Sequence, residues 1–114
     1  MKNRPLLRVL REAKELLGSR DAWSEQDHAW DAAGTWVPVG SPAAVRFSLM
    51  GAVLRCSSAA EDAGLSARRA FAAANPTLYK KYVSVGLSHE ESVTLLGDAI
   101  GFLGLVTQEA AEGT

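Results

Sequence analysis

The stretch Ser41-Pro42-Ala43-Ala44-Val45-Arg46-Phe47-Ser48-Leu49-Met50-Gly51-Ala52-Val53-Leu54 decides how this chain folds. A serine ahead of a proline offers an N-cap hydroxyl and a first helical residue whose missing N–H is no loss at that position. The run behind them predicts a helix from Pro42 to about Ala60. Arg46 and Arg55 stand about half a turn out of phase at roughly 3.6 residues per turn, and every residue between them is apolar or small. Such a helix is buried on most sides and is expected at the centre of the fold.

Upstream, Trp23, Trp30 and Trp36 crowd an irregular segment in which helical spacing breaks down. The pieces around Trp30 and from Thr35 to Val39 alternate and flank Ala32-Ala33-Gly34, which predicts a small β-hairpin. Before it, Leu6, Leu7, Leu10, Ala13, Leu16 and Leu17 recur at helical spacing from Pro5, and Gly18 stops the pattern. Arg4, Arg8, Arg11 and Glu15 form the polar stripe of that first helix.

Downstream, Ala63-Gly64-Leu65 is read as the end of the central helix, with a short third helix from Ser66 to Ala74 closed by Asn75-Pro76. Thr77 to Leu87 fits either a short helix followed by a loop or a strand. Ser88-His89-Glu90-Glu91 has the form of a capping box, and Val93, Leu96, Ala99, Ile100 and Leu103 then share one face of a last helix. Gly97, Gly101 and Gly104 on that helix each cost about 1 kcal/mol in helix propensity relative to alanine. Close approach to Ala44, Ser48, Ala52 and Cys56 is the expected compensation. The reading is a mainly α fold of about four helices around a central apolar one, with the hairpin between the first and second. It is expected to form a single compact domain over residues 1–106 with a small, acidic and flexible tail at 107–114.

With 114 residues, 47% hydrophobic and 22% charged, the chain is long enough for one modest core. A net charge of −1, divided as +2 over residues 1–57 and −3 over the rest, gives no bulk reason to seek nucleic acid or anionic lipid. The single cysteine, Cys56, rules out an internal disulfide and points to a reducing compartment, hence a cytoplasmic location. Charges near the N-terminus leave no secretory h-region, and Phe47 to Leu54 is too short to span a bilayer.

No constellation spells out a reaction. His28, His89, Cys56 and scattered carboxylates lack paired metal-ligand spacing, so no metal or other cofactor is expected. Asp27-His28-Ala29-Trp30-Asp31 reads as a solvated hairpin edge, its carboxylates facing one way and His28 and Trp30 the other. Cys56 on an apolar face reads as packing, and His89 as a surface residue within a cap. The arginine stripe, Arg68-Arg69 and Lys80-Lys81 lack any phosphate-binding or zinc-finger pattern, so nucleic-acid binding ranks third. Large aromatics and arginine dominate protein interfaces. Trp30, Trp36 and Arg46 near the hairpin, with Tyr79, Lys80, Lys81 and Tyr82 further on, are therefore the candidate contact residues; no catalytic residue is assigned.

The order of these features resembles a family of small bacterial and phage proteins of unknown function. The match lies in the Trp segment, Asp31-Ala32-Ala33-Gly34, Ala44-Val45-Arg46-Phe47, Gly51-Ala52, Ser88-His89-Glu90-Glu91 and Asp98-Ala99-Ile100, and it covers roughly Leu6 to Ile100. The resemblance implies a compact, mainly helical fold, no established activity and a phage or genome-accessory setting. The leading expectation is a non-catalytic domain that occludes the surface of a larger host or phage protein, for instance as an inhibitor of a bacterial defence system. Homodimerisation through the same patch is its close variant. The alternative is a small-molecule-binding or enzymatic protein that uses Arg46, His28 and Asp31 in a Trp-lined cleft.

Overall fold

The computed structural model describes residues 3–25, 28–57 and 63–112. It is mainly helical: α1 (Asn3–Leu16), a single 3-10 turn (Arg20–Ala22), β1 (Ala29–Trp30), β2 (Arg46–Phe47), α2 (Leu49–Cys56), α3 (Ala63–Ala74), α4 (Pro76–Ser84) and α5 (His89–Glu112). The first helix, the capped last helix and the fold class are as the sequence predicts. None of the helices is long and apolar enough to cross a membrane among the described residues.

The core is built where α1 meets α2 and α5, and where α3 packs on α5. Val9, Leu10, Ala13 and Leu17 of the first helical segment, Phe47, Val53, Phe71, Leu95, Leu96 and Ala99 are essentially fully buried. Each large side chain among them contributes about 1.5–3 kcal/mol relative to exposure. Five consecutive residues of α2, Leu49 to Val53, are buried, so this helix is enclosed on most sides.

Several expectations are corrected. The central helix is shorter than Pro42–Ala60, beginning only at Leu49; residues 58–60 lie outside the described residues. Ser41-Pro42 makes a turn instead of a helix start, with the Ser41 Oγ accepting from Ala43 N–H at 3.1 Å and its carbonyl from Ala44 N–H at 3.1 Å. Serine followed by proline also fits the first two positions of a tight turn, and the extended preference of Val45 and Phe47 then prevails. The working N-cap is Ser48, whose buried hydroxyl accepts from Gly51 N–H at 3.0 Å.

The hairpin is correspondingly shifted, since β1 pairs in antiparallel register with β2, Ala29 opposite Phe47 and Trp30 opposite Arg46. The predicted turn through Gly34 does form, and it brings Trp36 back beside Trp30 as an isolated bridge on the other edge of β1. Ala63-Gly64-Leu65, read as a helix end, lies in α3, which starts at Ala63. Residues 77–84 are helical because Asn75 caps them, its Oδ1 accepting from Leu78 N–H at 3.0 Å, with Pro76 in the first turn.

The last correction concerns glycine. A Cβ on Gly101 or Gly104 would meet nothing within 4 Å, and one on Gly97 would reach only the Lys14 side chain, so these residues mark no helix–helix approach. Gly51 does. A Cβ there would collide with the His28 carbonyl oxygen and lie 2.8 Å from its carbon, so α2 fits beneath β1 only without a side chain at this position.

Candidate functional site

The small sheet has two chemically distinct faces. Ala29 and Phe47, opposite each other, are buried, and Val37 packs on the same core. Their chain neighbours Trp30, Arg46 and Trp36 project from the other face, as strand alternation requires. Trp30 is the middle of the row, paired with Arg46 on one side and Trp36 on the other. Asp31 N–H donates to Thr35 O at 2.9 Å and Val37 N–H to Ala29 O at 3.1 Å, which makes Trp30 and Trp36 a non-hydrogen-bonded pair, the kind that sets side chains closest. Three of the candidate residues thus form one outward row. Trp36 is 57% exposed, and Val45 beside Arg46 is exposed as well.

The loops carrying this row are tied down by backbone hydrogen bonds. Asp31 Oδ1 accepts from Ala33 N–H at 2.9 Å and Thr35 N–H at 2.8 Å, fixing the turn that delivers Trp36. Arg55, on α2, donates through Nη1 to Val39 O at 2.7 Å and Ser41 O at 2.9 Å, with its guanidinium 5.8 Å from the Phe47 ring centre. Sequence reasoning treated Arg55 only as a helix-phase marker. Its partners are carbonyls of an irregular loop, which no spacing rule reveals.

The other four candidates lie on α4. Tyr79 and Tyr82 stack at 6.2 Å, tilted by 40°, and both are partly buried against the core. Lys81 pairs with Glu91 of α5 at 2.6 Å, whereas Lys80 is exposed. That lysine bond, with Ser88 N–H donating to Glu91 Oε1 at 3.0 Å, holds the Glu91 carboxyl below the ordinary carboxylate range. Tyr82 and Trp23 both line one cleft, and none of Trp30, Trp36 or Arg46 lines it. The tyrosines and the sheet row therefore do not share that cleft, and Trp23, left out of the candidate set, is the tryptophan that joins Tyr82.

Of the polar trio of the alternative reading, the Asp31 carboxylate serves its own turn, Arg46 is exposed on the outward row, and His28 lines a groove with Met50, Leu54 and Arg68 on the α2–α3 side. Asp27 lies outside the described residues. Cys56 is half-buried, and burial, reinforced by Glu12 and opposed by Arg55, pushes its thiol up, away from a reactive thiolate. His89 is more than a surface cap residue: its Nε2 lies 2.6 Å from Leu17 O and its ring packs against Trp23 at 5.9 Å. A carbonyl only accepts, so Nε2 carries the proton. Among the described residues, no three His, Cys, Asp or Glu are placed to hold a metal ion.

No curated protein and no solved structure matches the chain. A family model described as a family of unknown function, DUF6197, matches residues 1–101, and that span takes in α1 to α4, the outward row and the capped start of α5. The chain belongs to the DUF6197 family.

Proposed function

We propose that this domain is a non-catalytic protein-binding module that acts by covering a surface of a larger protein, with the outward row Trp36, Trp30 and Arg46 at the centre of contact. The observation that carries the reading is a tryptophan with more than half its surface in water, held on a turn fixed by two hydrogen bonds to the Asp31 carboxylate and two between backbone groups. A rigid exposed aromatic loses little conformational freedom on binding, and tryptophan and arginine are the residues most enriched at interface hot spots. Its setting, following the resemblance to small bacterial and phage proteins, is a phage or mobile element whose product blocks a host protein such as a defence component. Tyr79, Lys80, Lys81 and Tyr82 extend the contact surface on α4.

The test is retention of a partner from host lysate on the immobilised chain, followed by reconstitution with that partner purified. Trp36→Ala and Arg46→Ala are compared with wild type after their circular dichroism and melting have been matched. Loss of a hot-spot tryptophan of about 2 kcal/mol weakens the complex about thirtyfold. Unaltered binding by both variants refutes the row as the contact surface. A doubled mass for the chain alone, returned to the monomer value by Trp36→Ala, identifies a second copy as the partner.

A further inference from the structure

The cleft between Trp23 and Tyr82 has a composition of its own. It encloses about 120 Å³, well under the roughly 300 Å³ at which clefts begin to hold drug-sized ligands. Two aromatic residues, Trp23 and Tyr82, line it together with Ser24, Ser48, Ser92 and the exposed Glu25. The hydroxyls of Ser48 and Ser92 already serve backbone groups: Ser48 Oγ accepts from Gly51 N–H at 3.0 Å and Ser92 Oγ donates to Ser88 O at 2.8 Å. No lysine or arginine is among the described residues that line it. Among the described residues the lining therefore combines two aromatic side chains with one acidic side chain and no basic one.

Aromatic rings attract cations through the negative face of the π system, and a carboxylate nearby adds charge complementarity. We infer that this cleft binds the head of a small alkylated ammonium ion, with Trp23 and Tyr82 as its aromatic walls and Glu25 as its counter-charge. The volume admits one such head group and excludes a nucleotide or flavin. Trp23 is steadied for this by His89, whose ring packs against it while its Nε2 is held on Leu17 O. The site shares Tyr82 with the α4 part of the proposed contact surface but none of the outward row, so failure of the row as a contact surface leaves this inference standing.

The experiment is a titration of the full chain, at constant ionic strength, with choline and with its neutral tert-butyl isostere, following the Trp23 indole N–H by NMR. A Trp23→Phe spectrum assigns that signal. Choline is expected to shift it saturably and to bind at least about threefold more tightly than the isostere, the factor corresponding to a modest cation–π contribution. Glu25→Gln, at an exposed position, is expected to weaken choline by a similar factor while leaving the melting temperature unchanged. A trimethyl-lysine peptide then distinguishes sources: tighter binding than choline assigns the head group to a partner protein's lysine, and weaker binding assigns it to a free amine. No saturable shift, equal binding of the neutral isostere, or indifference to Glu25→Gln overturns the inference.

Discussion

Cys56 illustrates how a single residue's chemistry depends on elements distant in sequence. Its inertness was legible from the sequence, because an apolar helix face disfavours a thiolate. The contribution of Glu12 was not, since it requires α1 to lie against α2. A thiol pushed up by burial and a nearby carboxylate has less thiolate near neutral pH than an ordinary cysteine, so alkylation of the folded chain should be slower than that of the same chain in denaturant. Glu12→Gln removes one of the two raising influences and should speed the folded-state reaction without altering the denatured one. Equal rates in Glu12→Gln and wild type would show that burial alone sets the reactivity. His89 was legible as the first residue of α5, but its ring contacts with Leu17 and Trp23 join residues that no local pattern connects.

At the scale of elements, α1 and the capped start of α5 were plain because their signals are local: a stripe at helical spacing and a Ser-x-x-Glu box with both reciprocal hydrogen bonds, 3.0 and 3.2 Å. The start of α2 was misplaced because serine and proline serve turns and helix starts equally well, and what decides between them is the pairing of Arg46 and Phe47 with a strand earlier in the chain. The glycines misled for a related reason. Helical phase identifies which glycines share a side, but not what faces them. Gly51→Ala forces a methyl group into the His28 carbonyl and should destabilise the fold by about 1–3 kcal/mol, the usual cost of overpacking. Gly101→Ala meets open space on an exposed helix face and should stabilise it by up to about 1 kcal/mol. Urea unfolding of the two variants beside wild type checks both signs, and a stable Gly51→Ala would refute the tight seat of α2 beneath β1.

Over the whole molecule, only the Trp30–Trp36 half of the outward row was legible, from the turn through Gly34, because Arg46 joins it only when β2 pairs with β1, and the Trp23–Tyr82 cleft likewise forms only when α4 and the segment after α1 have been brought together. The packing of α1 on α5 has a similar long-range character, and a chain stopped at Ser88 deprives both α1 and α3 of the helix they pack against. Such a chain should lack a cooperative melt and bind a hydrophobic dye, and a sharp transition in its thermal scan would contradict this. The bond from His89 to Leu17 spans 72 residues, and at about 5–20 residues per second of translation that span takes several seconds to synthesise. During biosynthesis α1 therefore leaves the ribosome with its apolar stripe bare and waits for α5, an interval in which chaperones and proteases meet an unfinished domain.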